Sequence, residues 1–390
     1  MADHDDPQLD PEQDRALSAE SDSEVDCRLL IDLYPELYEV LDPYCSRCDP
    51  ELDPDWNNHH TVSWEEHVVK ALHIVRMREV EETDPVSGIP YHTRFCKFNL
   101  NLAYFDFEKE STARRGPPIQ WLSRDHHMLE DSVNVVSLKI LESDVGYPIS
   151  VFGTVLVRDF IDYKCIYVFR RDKDHPQLIT SPEDTLTLTG PWRGLAVTNG
   201  MYFEINLKVK CDDAGGQMDF IKGVIERDLS GDYHKKLMTR RLTSWHGTLQ
   251  LAYTPVPLAV EAAIAINILN WPCDFTGEIA ACTSRNENEI VLYDSEASGT
   301  KTAVGDGGSV ALSRCSVAVP VDEELVLRVR GVGDGGEDAW FEITLDHSDH
   351  SRIFCNGLYE LQVKVEWTGI LDMGRKEDLF RIVGRTQLLL

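Results

Sequence analysis

The sequence predicts a mainly β protein: two tandem antiparallel β-sandwich-like units behind a helix-containing N-terminal extension. Three observations lead there. From Val133 to Trp367 the chain is a succession of short alternating or apolar runs of roughly 5–9 residues, spaced by Gly, Pro, Asp and Asn, which is the rhythm of an antiparallel sandwich. That stretch reads through twice, and self-similarity at a long period is settled before any other fold assignment. At 390 residues the chain also has length for two cores.

The repeat is visible as paired phrases. Phe152-Gly153-Thr154-Val155-Leu156 answers to Phe275-Thr276-Gly277-Glu278-Ile279-Ala280, and Tyr167-Val168-Phe169 to Val291-Leu292-Tyr293. Glu204 to Val209 answers to Glu324 to Val329, and Asp219-Phe220-Ile221 to Ala339-Trp340-Phe341. Thr248-Leu249-Gln250-Leu251 answers to Glu360-Leu361-Gln362-Val363. The offset falls from 124 to 112 residues, so the second copy is shorter in its late loops. The expected organisation is an acidic segment over 1–55, a helix, strand and linker over 56–131, repeats over about 132–258 and 259–370, and a tail over 371–390.

Taken in order, residues 1–28 hold almost nothing apolar, and too little burial is available to offset the entropy of ordering, so disorder is expected. Residues 29–41 interleave acids with Leu, Ile and Tyr and read as a strand or short helix, or as a segment that folds on a partner's groove. Ser63-Trp64-Glu65-Glu66 has the spacing of a capping box. Val68, Val69, Leu72 and Val75 follow on one face, so a helix is expected over 63–82, ending before Asp84-Pro85. Phe95 to Phe107 alternates as one long strand. Arg114-Arg115-Gly116-Pro117-Pro118 reads as a solvated linker, as does the basic cluster His234 to Arg241. Leu379, Ile382 and Val383 suggest a short terminal helix.

Charge limits the partners. Of a formal net charge of -29, -15 sits in residues 1–55, with 18 Asp or Glu against Arg15, Arg28 and Arg47. Such acidity repels phosphate backbones and anionic lipid, so direct nucleic-acid or membrane binding is not expected. Ten scattered cysteines in a chain this large read as reduced thiols, several of them buried in strands. The chain opens without a signal-peptide pattern and holds no apolar run of membrane-spanning length, which points to a cytoplasmic or nuclear location.

No motif for chemistry emerges, so no catalytic residue, cofactor site or metal site is assigned. Cys45-Ser46-Arg47-Cys48 with His59-His60 lacks the second Cys-x-x-Cys expected of a closed zinc site. Gly331 to Gly336 matches a dinucleotide fingerprint in letters, yet it joins two strands and opens no helix. There is no Gly-Lys dipeptide for a P-loop, no His-Glu-x-x-His helix and no Gly-x-Ser-x-Gly elbow. One loop stands out: Leu186-Thr187-Leu188-Thr189-Gly190-Pro191-Trp192-Arg193-Gly194. Trp and Arg are the types most often energetic at recognition surfaces, so Trp192 and Arg193 are the candidate binding surface.

Four phrases, Ser132 to Lys139 with Asp144 to Val155, and Leu186 to Gly194 with Phe203 to Lys208, resemble the grass family called domain of unknown function 6598. The resemblance covers roughly 133–369. It implies a plant source, a stress or defence setting and no established activity. Similar domains stand beside ribosome-inactivating N-glycosidase domains in jasmonate-induced proteins, which implies depurination as the enzyme hypothesis. Those enzymes use Glu-Ala-Ala-Arg; here the stretch is Glu261-Ala262-Ala263-Ile264, and an aliphatic side chain has no proton to give a leaving base.

Two readings of function follow. One is a non-enzymatic binding or regulatory module that meets a protein partner through Trp192-Arg193. The other is a carbohydrate- or small-ligand-binding sandwich, or an enzyme of unrecognised type. A pocket between the sandwiches with convergent polar groups favours the second. A flat, aromatic-centred patch favours the first.

Overall fold

The computed structural model describes residues 74–95, 107–112, 115–122, 128–197, 200–211, 216–227, 237–271, 275–297, 300, 304–332, 338–357 and 359–371. The acidic segment, the Cys45–His60 cluster, the interior of the strand expected over 95–107, residues 333–337 and the tail from 372 lie outside them. Residues 74–79 are helical; the earlier part of the helix expected over 63–82 is outside the described residues. Its far end differs from expectation, because Glu81–Thr83 is already strand β1, paired with β2 at Pro90–His92.

The first sandwich is built from β3 (Ser132–Ser143), β4 (Ile149–Arg158), β5 (Ile166–Arg171), β6 (Gln177–Ile179), β7 (Met201–Lys210), β8 (Gln217–Arg227), β9 (Met238–Ser244) and β10 (Gly247–Val256). The second uses β11 (Ala259–Asn270), β12 (Gly277–Thr283), β13 (Asn286–Asp294), β14 (Ser316–Pro320), β15 (Leu325–Val332), β16 (Asp338–Leu345), β17 (Ser351–Asn356) and β18 (Tyr359–Gly369). Sheet order is β3-β10-β9 with β5-β4-β7-β8 in the first, and β14-β11-β18-β17 with β13-β12-β15-β16 in the second. With β3 matched to β11 and β10 to β18, seven strands of each half share one connectivity, while β6, which pairs with β4, and β14, which pairs with β11, have no strand counterpart. Among the described residues, the paired strands of both sandwiches run antiparallel.

Alternation explains the layers. Along β7, Met201, Phe203, Ile205, Leu207 and Val209 turn inward, and along β15 Leu325, Leu327 and Val329 do the same. Strand β3 changes phase: Val133 and Val135 are core residues, and so are Leu138 and Ile140. The register supplies the cause, since Tyr253 pairs with Val135 and Ala252 with Ser137, leaving Val136 as the extra residue of a bulge.

The halves share fine structure as well. The pairing of β4 with β5 skips Val168, and that of β12 with β13 skips Leu292, 124 residues on. Gly153 (φ 111°) and Gly277 (φ 152°) stand in equivalent places. A Cβ at either would lie 2.2 Å from the Asn206 carbonyl oxygen or 2.0 Å from that of Arg330, so the close approach of strands requires glycine. In β7 and β15 the register differs from the phrase match. Glu204 pairs with Leu156 and Arg328 with Ala280, which makes Arg328, and not Glu324, the counterpart of Glu204.

The sandwiches join through two residues, Pro257 and Leu258, between β10 and β11. The joint is stitched by polar bonds. Asn134 on β3 donates Nδ2–H to the Ala318 carbonyl (2.7 Å) and accepts the Ala318 N–H at Oδ1 (2.9 Å), as a backbone neighbour would. Arg314 donates to the carbonyls of Val135 (2.6 Å) and Val291 (2.8 Å), one from each half. Buried with carbonyls as these partners, its guanidinium is pulled down by desolvation to about 9. Arg240 and Arg241, expected in a linker, are part of β9.

Candidate functional site

Where the first sandwich meets the second, a cleft of about 180 Å³ opens. Its first-half wall is Asn134 on β3 and Thr254, Pro255 and Val256 at the end of β10, followed by Pro257. The second half supplies Cys282 and Thr283 at the end of β12, Arg285 in the turn, Asn286, Asn288 and Ile290 on β13, and Pro320 and Glu323. The β12–β13 hairpin thus presents its tip to the edge formed by β3 and β10. Prolines at 255, 257 and 320 fill the strand ends, where a missing N–H costs no ladder bond.

The polar groups are held by one another. Thr283 donates its hydroxyl proton to Glu323 Oε2, which also faces the Arg285 N–H at 3.4 Å. Arg285 reaches Asp322 through Nη1 (2.6 Å), and that carboxylate holds the guanidinium above its ordinary pKa. Asn288 donates to Asn286 Oδ1 (2.6 Å). Hydroxyl, amide, carboxylate and guanidinium therefore line one space, whose other walls are the polar Asn134 and Thr254 together with prolines, Val256, Cys282 and Ile290. Such a set orients a small polar molecule.

The same wall argues against nucleophilic chemistry. Burial pushes the Cys282 thiol above its ordinary pKa, so it stays protonated, whereas a reactive cysteine needs a lowered one. Among the described residues, no histidine lines the cleft. Among the described residues, no group of three or more His, Cys, Asp or Glu is placed to hold a metal ion.

The loop carrying Trp192 and Arg193 lies elsewhere, and the structure divides the pair. Trp192 is 40 % exposed; Arg193 is 1 % exposed and forms no part of an accessible surface. Its guanidinium meets Asp159 through two bonds (2.6 and 3.0 Å) and donates to Ser111 Oγ (3.1 Å) and the Gly194 carbonyl (2.8 Å). Desolvating Arg193 lowers its pKa, and the Asp159 carboxylate outweighs that, leaving a net rise. Arg193 is corrected from a recognition residue to a buried brace.

Arg115 is corrected too. It is no solvated linker residue: Nε contacts Glu261 Oε1 (2.9 Å) and Nη2 donates to the Trp192 carbonyl (2.9 Å). Glu261 is buried in β11 and also accepts from Ser316 Oγ (2.8 Å), a structural place unlike that of a catalytic carboxylate open to substrate.

A family model described as "Domain of unknown function (DUF6598)" matches residues 132–365, from the first residue of β3 into β18. The chain belongs to this family. The DUF6598 match therefore spans both sandwiches and both walls of the cleft. No curated protein matches the chain. Among solved structures, this DUF6598 protein is similar to "Extended-Synaptotagmin 2, C2A- and C2B-domains" at 9 % identity and TM-score 0.23, covering 68 % of this chain and 96 % of that one. It is also similar to "Human GIVD cytosolic phospholipase A2 in complex with Methyl gamma-Linolenyl Fluorophosphonate" at 8 % identity and TM-score 0.19, covering 61 % and 32 %. Likeness at these scores decides nothing about the site. Among the described residues of the DUF6598 protein, no helix is long and apolar enough to cross a membrane.

Proposed function

We propose that this protein is a non-enzymatic binding module whose site is the cleft between the sandwiches, and that the cleft takes a small polar ligand. One observation carries the reading: Thr283, Arg285, Asn288 and Glu323 from one half converge with Thr254 and Asn134 from the other on a space of about 180 Å³. A stress or defence role in a plant is the setting we propose on the resemblance of the motif phrases, and a cytoplasmic or nuclear location is the one the opening of the sequence and its lack of a long apolar run suggest. A protein partner is the second reading, and the exposed indole of Trp192 favours it.

The test uses the full chain and a panel of hexoses, disaccharides, polyols and small dicarboxylates, followed by thermal shift and by amide chemical shifts. Binding that perturbs the amides of Thr254, Val256 and residues 282–290, and that Asn288→Trp abolishes by filling the cleft, supports the reading. A silent panel, together with stoichiometric capture of a leaf protein that Trp192→Ala loses, moves the site to the loop and sinks the cleft proposal.

A further inference from the structure

Sheet edges differ in what guards them. Free edges are ordinarily blunted by charge, proline, a bulge or a cover, because unpaired N–H and C=O groups invite another strand. In the second sandwich β13 carries Glu287 and Glu289, β16 carries Glu342, and β14 ends on Pro320 and is stitched to β3 through Asn134. Strand β17 has β18 on one side and, among the described residues, no strand on the other. Five of its six residues are exposed, Ile353 at 54 %, and its single charge is Arg352.

The backbone phase of this edge fixes what fits it. The ladder to β18 opens with the Val365 N–H donating to the His350 carbonyl (2.9 Å). Antiparallel alternation then turns the backbone groups of Arg352, Phe354 and Asn356 toward β18 and directs those of Ser351, Ile353 and Cys355 outward. An antiparallel copy of the same strand, centred on Ile353, meets outward groups with outward groups. It sets Ile353 opposite Ile353, Ser351 opposite Cys355 and Arg352 opposite Phe354. No like charges face each other, and Arg352, whose guanidinium already lies 5.3 Å from its own Phe354 ring, gains a second ring. A shift by one residue sets outward groups against inward ones and breaks the ladder.

We propose that β17 is a homodimerisation edge: a second copy of this chain pairs with it antiparallel about Ile353, joining two four-stranded sheets into one of eight. Pairing over six residues falls below the roughly 1,200 Å² of a standard interface, so the dimer is weak and concentration-dependent.

Two measurements on the full chain test this. In sedimentation velocity from about 1 µM to roughly 100 µM, where micromolar dimers become populated, the protein shifts from monomer to dimer. Ile353→Lys, an exposed change that leaves the melting temperature in place, loses the shift. Under mild oxidation Ser351→Cys yields a covalent dimer through Cys355 of the second copy, because such pairs place Cα atoms about 5.5 Å apart, within disulfide range. Adding Cys355→Ser abolishes it. A wild type that stays monomeric throughout the series overturns the proposal. So does a dimer untouched by Ile353→Lys, or a Ser351→Cys variant that cross-links no more than wild type.

Discussion

Sheet β5-β4-β7-β8 of the first half and sheet β13-β12-β15-β16 of the second have one topology, one bulge and one required glycine, yet their outer faces live in different environments. In the first half the face is roofed by the chain's own preceding segment. Arg158 is fully buried there, bonded to Glu204 through Nε (2.7 Å) and Nη2 (3.0 Å) and to the carbonyls of Tyr163 and Phe107. The Phe95 N–H also donates to Glu204 (2.6 Å), and Phe95 stacks on Tyr163 and tilts against Tyr202. In the second half the counterpart of Glu204 is Arg328, which contacts Glu289 (3.0 Å) and Glu342 (3.1 Å) at the surface, while Trp340 beside them is 48 % exposed. Fold repeats; dielectric does not. At one register position the first half buries a carboxylate against Arg158, while the second sets a partly exposed guanidinium between two glutamates and has Cys282 in the place of Arg158.

The contrast is open to test, beginning with its largest consequence. Glu204→Ala takes from the buried Arg158 the carboxylate that it bonds through Nε and Nη2 and is expected to cost about 3–5 kcal/mol in urea unfolding. If it costs no more than Arg328→Ala, the contrast is wrong. Next, Arg193→Ala removes one partner of the buried Asp159 pair and is expected to cost about 3 kcal/mol, whereas its exposed neighbour Trp192→Ala stays near or below ~1 kcal/mol.

A pH effect of middle size comes from the roof. Burial raises the pKa of Asp84, and the N–H groups of Ser87, Trp245 and Val86 that its carboxylate accepts outweigh this, so the net value is lowered. A folded pKa below the unfolded one means stability that is complete above the ordinary carboxylate range and lost as pH falls through the folded value. The contribution of the β1–β2 hairpin is therefore expected to fade below about pH 4. In Asp84→Asn, thermal melts should show less dependence on pH across that window. The smallest effect is Arg328→Ala, below about 1 kcal/mol and further reduced in molar salt, since its partners are partly exposed.

Much of this was legible in the sequence because it is periodic. Phrases such as Phe152 to Leu156 and Thr248 to Leu251 record inward–outward alternation, and the strands fall on them. The match of Glu204 to Glu324 failed by four residues because like letters were aligned, whereas the equivalence is one of register. Arg193 was misread for a related reason: Trp-Arg in a Gly-Pro loop looks the same whether the cation faces water or Asp159, 34 residues back. The cleft left little signal, since its walls come from positions near 134, 255, 285 and 320, and only the joining of two sandwiches brings them together. The Asn-rich hairpin Asn286-Glu287-Asn288 was the one local hint, an unusual number of amides for a strand start.

The joint at Pro257 and Leu258 has a mechanical meaning. The Leu258 N–H is held by Asp131 (3.0 Å), its carbonyl accepts from Val321 (3.1 Å), and Ala259 is tied to both Glu130 and Ile370. A connection this short and this tethered leaves the halves no hinge about which to swing. The cleft is then a fixed crevice rather than a jaw, and on the proposed binding reading a guest is expected to enter by side-chain rearrangement on the fast timescale of rotamers. Its arrival should leave the scattering envelope of the protein unchanged.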